Sequence, residues 1–141
     1  NLQYGKKDAT CDEMTEAAET AQAMEFIKTK EHGLDEEVAQ GGTNVSGGQK
    51  QRLSIARALV KKANVYLFDD SFSALDFKTD QALRKALKEK VGDSTIIIVA
   101  QRINTVLDAD QIVVMDEGRM AGIGTHEELM QSCEVYKEIA L

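Results

Sequence analysis

The chain has 141 residues, 43% of them hydrophobic and 29% charged, a balance that is ordinary for one globular domain. Its net charge of −7 argues against wrapping by nucleic acid, so we expect no nucleic-acid partner. No stretch approaches the roughly 18 apolar residues that a membrane span needs. The two cysteines, Cys11 and Cys133, are expected to be reduced thiols.

Helices are predicted for the first part of the chain. Residues 8–30 are rich in Ala, Glu and Met, contain no Gly or Pro, and repeat apolar side chains at helical spacing. We therefore expect one or two helices there, followed by turns or loop around Gly33, Gly41 and Gly42. Another helix is predicted for about residues 49–61, where four apolar residues can share one side: Leu53, Ala56, Leu59 and Val60.

After this helix the apolar residues form continuous runs. Residues 65–68 and 95–100 are such runs, which are typical of parallel strands buried on both faces. A helix at about residues 78–90, with Leu83, Ala86 and Leu87 toward the core, lies between them and completes a strand–helix–strand unit.

A hairpin and two helices are predicted for the end of the chain. Apolar runs flank a glycine-containing turn at residues 116–118, as in a β-hairpin. Thr125 can cap the next helix, with Glu128 three residues later as its partner in a capping box. A final helix follows.

Four residues at the start of the helix predicted for about residues 49–61 have the composition of an anion site. Gly47 and Gly48 let backbone N–H groups approach an anion closely, and the positive end of the helix dipole points at it. Ser46 and Gln49 add side-chain donors. A glycine turn that merely caps the helix is an equally good interpretation of these four residues alone.

Two carboxylates follow the first predicted strand. Ligands of parallel sheets gather at the carboxyl ends of the strands, where Asp69 and Asp70 stand. One Asp there can hold Mg²⁺, and a second can orient the water that attacks a phosphate. An acidic loop without chemistry is the alternative.

Asp76 and Gln101 are weaker candidates when each is judged by itself. Asp76 ends the sequence SALD and is best explained as the cap of the next helix. Gln101 follows the second predicted strand, where its side chain can donate to a γ-phosphate or simply leave the sheet as a polar residue.

In this order and spacing, the motifs together resemble the nucleotide-binding domain of ATP-binding cassette (ABC) transporters. The sequence VSGGQ at residues 45–49 is similar to the LSGGQ signature, VYLFDD to Walker B, and SALD to the D-loop. VAQR stands at the switch position. Residues 36–42, EEVAQGG, resemble the exporter loop that precedes the signature and contacts the coupling helices of the transmembrane domain.

The resemblance implies an α/β fold: the distal part of a P-loop NTPase core with parallel strands, plus a helical subdomain. Residues 1–44 would be the end of the core and the helical subdomain, and residues 45–141 the signature helix and the C-terminal part of the core. No G-x-x-x-x-G-K-[ST] motif, aromatic adenine loop or Q-loop glutamine is found. In the family these precede the matched region, so we expect a truncated domain.

Two departures from the family pattern concern hydrolysis. Asp70 stands where the family usually has Glu, and its side chain is shorter by one C–C bond of about 1.5 Å. A misplacement of about 1 Å can cost on the order of 100-fold in rate. Gln101 stands where the family has His, and it can donate a hydrogen bond but cannot carry a positive charge. We expect a site that binds ATP and hydrolyses it poorly.

The resemblance also implies ATP and Mg²⁺ as cofactors and a role for each residue. Asp69 would organise Mg²⁺, Asp70 would act as a slow base, Gln101 would contact the γ-phosphate and Asp76 would bridge two domains. A second nucleotide-binding domain would pair head to tail with this one. The residues that would clamp the ATP of that partner are Ser46, Gly47, Gly48 and Gln49.

The resulting hypothesis is the degenerate-site half of a heterodimeric exporter, of multidrug type, at the cytoplasmic face of the cell membrane. Without a P-loop, the isolated chain is expected to be inactive. One alternative is a free-standing module that docks on an ABC subunit without chemistry of its own. Another is a soluble ABC ATPase acting on ribosomes or DNA, which the acidic charge and the exporter-like loop disfavour. The transported substrate cannot be read from these motifs.

Overall fold

Helices precede a strand–helix–strand unit in residues Asn1–Val99 of the computed structural model, which describes all 141 residues of the chain. These residues form one compact unit, and Ala100–Leu141 form a second. The elements of the first unit are α1 (Cys11–Thr20), α2 (Met24–Ile27), α3 (Gly47–Val60), β1 (Val65–Asp69), α4 (Phe77–Lys90) and β2 (Thr95–Val99).

Two helices occupy the region where one or two were predicted. A capping box opens α1: Thr10 Oγ1 accepts from the Glu13 amide at 3.2 Å, and Glu13 Oε2 accepts from the Thr10 amide at 3.0 Å. Shortly after α1 ends, Gln22 adopts a left-handed φ of 57°, which separates α1 from α2. The chain then forms short 3₁₀ turns at Gly33–Asp35 and Gln40–Gly42.

The predicted strand–helix–strand unit is confirmed. β1 and β2 are parallel neighbours, in register from Val65 opposite Thr95 to Asp69 opposite Val99, and α4 connects them. The pairing continues one step beyond β1, because the Asp70 amide donates to the Val99 carbonyl at 3.0 Å. The ends of both strands therefore meet at one edge of the sheet.

The prediction that these strands are buried on both faces is wrong. Tyr66 and Phe68 are buried, but Leu67 between them is 65% exposed, and Ile97 and Val99 on β2 are about half exposed. Side chains alternate across a strand, and helices cover only one face of this two-stranded sheet. A continuous apolar run thus shows that both faces of a strand are apolar, but only one of the two faces is covered in this structure.

Small residues allow the helices of the first unit to pack closely. α1 lies against α3, and Ala18, Ala21 and Ala56 are completely buried in this region. Larger apolar residues complete the core, the most deeply buried being Ile55, Val60, Leu83 and Leu87. The predicted buried side of α3 is confirmed, because Leu53, Ala56, Leu59 and Val60 are all buried.

The second unit contains β3 (Ile112–Asp116), β4 (Arg119–Gly124), α5 (His126–Ser132) and α6 (Glu134–Ala140). The predicted hairpin is confirmed, and its two turn residues, Glu117 and Gly118, both have left-handed φ values of 45° and 75°. The predicted capping box of α5 is also present. The core of this unit consists of Ile112, Val114, Leu129, Cys133 and Tyr136.

The cysteines and the lengths of the helices concern the chain as a whole. Both cysteines are free: Cys11 is exposed in the first unit and Cys133 is buried in the second. All helices are too short or too polar to span a bilayer.

Candidate functional site

The Ser46 turn, defined as residues 46–49, opens α3 with a capping box. Ser46 Oγ accepts from the Gln49 amide at 3.2 Å, and Gln49 Oε1 accepts from the Ser46 amide at 3.1 Å. Both side chains serve the box as acceptors, so the Ser46 hydroxyl hydrogen and the Gln49 NH₂ group remain as donors. The capping interpretation is therefore correct, and it leaves the donors of an anion site in place.

The two glycines of the Ser46 turn bring it against the segment that follows β1. A Cβ at Gly48 would lie 3.0 Å from the Ala74 carbonyl oxygen, which is closer than side chains normally approach. A Cβ at Gly47 would lie 3.7 Å from the Ala74 Cβ, an ordinary contact. The lack of a side chain at Gly48 is thus what permits this approach.

The acidic loop, defined as residues 69–74, begins at the carboxyl end of β1. Asp69 and Asp70 are both exposed there, as a ligand site requires. Asp70 has a left-handed φ of 49°, which costs roughly 1–2 kcal/mol for most residues but is tolerated better by Asp. Ser73 Oγ lies 3.1 Å from Asp70 Oδ2 and 3.2 Å from the Asp70 carbonyl, so its hydroxyl can donate to either. The turn back toward α3 is therefore held by local hydrogen bonds.

Gln51 joins the acidic loop to α3, and sequence reasoning missed it. Its Nε2 donates to the Asp70 carbonyl at 3.1 Å and to Ser73 Oγ at 3.0 Å, while its Oε1 accepts from the Ala74 amide at 2.9 Å. The helical spacing contained a signal, because Gln51 follows Gly47 by four residues and Gly48 by three and so lies on the same helix face.

Asp76 caps α4, as its position alone indicated. Its Oδ1 accepts from the Thr79 amide at 2.9 Å and its Oδ2 from the Thr79 hydroxyl at 2.7 Å. These hydrogen bonds stabilise the carboxylate and lower the pKa of Asp76 below its ordinary value. A contact between this residue and a second domain stays a prediction.

Gln101 belongs to the second compact unit, where its side chain is exposed. Gln101 follows β2 by two residues, and β2 is the parallel neighbour of β1. The predicted contact of Gln101 with a γ-phosphate stays a prediction.

Two residues flanking the Ser46 turn hold the segments beside it, and sequence reasoning missed both. Asn44 Nδ2 donates to the Glu37 carbonyl at 2.9 Å, and its Oδ1 accepts from the Ala39 amide at 3.0 Å, which fixes the loop before the turn. Arg52 Nη1 donates to the Gln22 carbonyl at 2.8 Å. Its guanidinium also lies 4.8 Å from the centre of the Phe26 ring, which connects α3 to α2.

The donor set at the end of β1 suits magnesium that arrives with a nucleotide. No group of three or more His, Cys, Asp or Glu residues forms a complete metal site. Mg²⁺ is commonly held by one or two carboxylates together with phosphate oxygens and water. The exposed carboxylate of Asp69 fits that partial role.

Comparison with known sequences finds relatives along almost the whole chain. The family model described as ABC transporter matches residues 3–73. An uncharacterized ABC transporter ATP-binding protein of Mycobacterium bovis is 48% identical, over 99% of this chain and 24% of the relative. An ATP-dependent lipid A-core flippase of Chromobacterium violaceum is 41% identical over the same shares. The chain therefore spans about a quarter of the length of the curated relatives it matches.

Comparison with solved structures finds a close fold match. The structure of a bacterial Atm1-family ABC exporter with ATP bound superposes with a TM-score of 0.93 and 37% sequence identity. The match covers 99% of this chain and 24% of the exporter chain. The chain is thus similar to about a quarter of a larger polypeptide.

Proposed function

Because this chain belongs to the ABC transporter family, we propose that it is part of the ATP-binding subunit of an exporter. The resemblance read from its motifs is confirmed, as is the predicted α/β fold of the distal ABC ATPase core. In the proposed whole protein, ATP binding and hydrolysis drive transport across a membrane, and this domain lies at the cytoplasmic face. The lipid A-core flippase and the Atm1-family exporter among its relatives support an exporter.

One observation carries the proposal: α3 holds the Ser46 turn and the acidic loop together. The turn presents donors from Ser46, Gln49 and the backbone, as an anion requires. The loop presents Asp69 and Asp70 at the carboxyl end of β1, where carboxylates can hold Mg²⁺ and orient an attacking water. This combination suits a protein that contacts nucleotide phosphates at two places.

In the proposed mechanism, the Ser46 turn and the acidic loop contact two different nucleotides. The Ser46 turn donates hydrogen bonds to the γ-phosphate of ATP held by a second nucleotide-binding domain, while coupling helices of a transmembrane domain contact residues 36–42. At this chain's own site, Asp69 would hold Mg²⁺, which neutralises charge on the phosphates. Asp70 orients and deprotonates the attacking water, and Gln101 contacts the γ-phosphate. Asp76 lies between the two domains.

Hydrolysis at the site that contains Asp70 is proposed to be slow. The carboxylate of Asp70 stands about 1.5 Å short of where Glu would place it, and Gln101 offers no positive charge. The Ser46 turn is intact, so the site that it completes on the partner is the faster one. The proposed assembly is therefore a heterodimer with one weak and one competent site. In this chain, residues 1–44 would be the end of the core and the helical subdomain, and residues 45–141 the signature helix and the C-terminal part of the core.

The first experiment locates the chain in the source cells. An antibody raised against it is used to blot membrane and soluble fractions under denaturing conditions. The proposal expects a band several times larger than 15.5 kDa that is confined to membranes. A soluble band at 15.5 kDa would contradict it and would support a free-standing module that docks on an ABC subunit.

A further inference from the structure

We infer that Gln51 is a positioning residue, which fixes the acidic loop on the Ser46 turn so that the two nucleotide-contacting segments move as one piece. This inference rests on the proposed function for its catalytic meaning.

The side-chain amide of Gln51 reaches both ends of the loop. Its two N–H donors go to the Asp70 carbonyl and to Ser73 Oγ, and its oxygen accepts from the Ala74 amide, all within 3.1 Å. The half-buried side chain thus joins three loop residues that follow it by 19, 22 and 23 positions. Among side chains only Gln and Asn carry two donors and one acceptor on a planar amide, and Asn is shorter by one C–C bond.

These bonds determine where the Asp70 carboxylate points. Asp70 has a left-handed backbone, and its amide is held by the Val99 carbonyl and its own carbonyl by Gln51. Both peptide groups around the Cα are therefore fixed. Ser73 extends the chain of bonds, because its oxygen accepts from Gln51 while its hydroxyl can donate to Asp70 Oδ2.

The same bonds attach the loop to the Ser46 turn. The Ala74 amide is held by Gln51, while the Ala74 carbonyl packs against Gly48 one helical turn earlier on α3. Both the amide and the carbonyl of Ala74 therefore contact residues of α3. A shift of the Ser46 turn, when it closes on a partner's nucleotide, would be transmitted to Asp70 at this chain's own site.

The first arm of the test measures backbone protection and requires no activity. Amide hydrogen exchange is followed at Ala74, in the polypeptide that contains this chain as cells make it, for Gln51→Ala, Gln51→Glu and Gln81→Ala. We expect exchange to rise at least about tenfold in Gln51→Ala, since the acceptor is lost. It should rise less in Gln51→Glu, which keeps an acceptor. Gln81, exposed on α4, is the matched control and should change nothing.

The second arm measures ATP hydrolysis in a complex whose partner domain has been made unable to hydrolyse ATP, in a background with the longer acid, Asp70→Glu, which should make this chain's own site active. Adding Gln51→Ala should lower kcat at least about fivefold and leave KM for ATP within about twofold, because Gln51 positions the loop without touching nucleotide. Adding Gln51→Glu should also lower kcat, since both donors are lost. Adding Gln81→Ala should leave both constants unchanged.

The outcomes separate the two ideas. An unchanged Ala74 exchange rate, or an unchanged kcat in Gln51→Ala, overturns the inference while leaving the exporter proposal standing. A rise in KM equal to the loss in kcat also overturns it, because it indicates a general loss of structure. If no variant hydrolyses ATP, the proposed function fails, and the exchange at Ala74 alone decides whether Gln51 positions the loop.

Discussion

Gly48 lies so close to Ala74 that a Cβ at position 48 would stand 3.0 Å from the Ala74 carbonyl oxygen, whereas one at Gly47 would make only an ordinary contact. Replacing glycine by alanine in a helix normally stabilises by about 0.5–1 kcal/mol, but overpacking costs about 1–3 kcal/mol. Because Gln51 restrains Ala74, the loop cannot easily yield. We predict that Gly48→Ala is less stable than Gly47→Ala by at least about 1 kcal/mol, as measured by urea unfolding. Equal stabilities would contradict this packing.

Asp70→Glu should increase hydrolysis at this chain's own nucleotide site. The added C–C bond of about 1.5 Å moves the carboxylate toward the position that the family pattern favours, and a shift of this size is worth on the order of 10- to 100-fold in rate. Single-turnover ATP hydrolysis by the complete protein measures the gain. Asp70→Asn is the control, because Asn also tolerates a left-handed φ but cannot accept the proton from water. A gain with Asn equal to that with Glu would exclude Asp70 as the base.

The cap of α4 should give the first unit a specific response to acid. Hydrogen bonds from Thr79 lower the pKa of Asp76 in the folded state below its ordinary value of 3.8. The unfolded chain therefore binds the proton more tightly, so this stabilisation is complete above pH 3.8 and disappears as the pH falls through the lower folded value.

Asp76→Asn tests this response, because Asn keeps an acceptor for the Thr79 amide and does not titrate. The melting temperatures of the two proteins are compared at about pH 6 and about pH 3. The advantage of Asp76 over Asn should be larger at the higher pH. An advantage that is constant, or larger in acid, would contradict the assignment.

Arg52 should contribute strongly to the attachment of α3 to α2. Its side chain is 14% exposed, donates to the Gln22 carbonyl and covers the Phe26 ring. A hydrogen bond from a charged donor contributes about 1.5–3 kcal/mol, and a cation–π contact at least about 0.5 kcal/mol. Arg52→Ala should therefore lower the free energy of unfolding by about 2 kcal/mol.

Arg52→Lys serves as the comparison, because it keeps the charge but not the planar stacking and should lose about 1 kcal/mol. Urea unfolding followed by circular dichroism measures both variants. Hydrogen exchange at Ala23 should also accelerate, since its neighbour Gln22 loses the donor that holds its left-handed backbone. A Lys variant as stable as the unchanged protein would argue against stacking on Phe26.

Features set by nearby residues could be predicted from the sequence. The capping box of Thr125 and Glu128 depends on positions three apart, and the hairpin turn depends on a local glycine at 118. The separation of α1 and α2 was harder to locate, because the left-handed residue there is Gln22 rather than Gly or Asn. Nothing in the local composition marks that position.

Features that depend on distant parts of the chain could not be predicted with the same success. The acids of the loop were found because they end an apolar run, whereas the function of Gln51 requires partners at least 19 residues away. The helix pattern places Gln51 beside two glycines but does not say which segment approaches them. The exposed side of β1 was missed for a related reason: an apolar side chain such as Leu67 does not record whether another element covers it.

That uncovered apolar row has a practical consequence for the purified chain. Val65, Leu67, Ile97 and Val99 are each about half exposed or more and lie on neighbouring parallel strands. Contiguous apolar surface of this kind promotes aggregation in concentrated solution, especially when it lies on strands with unpaired edges. Aggregation should therefore limit the concentration at which this chain stays in solution by itself, and a single charged residue in place of Leu67 should raise that concentration.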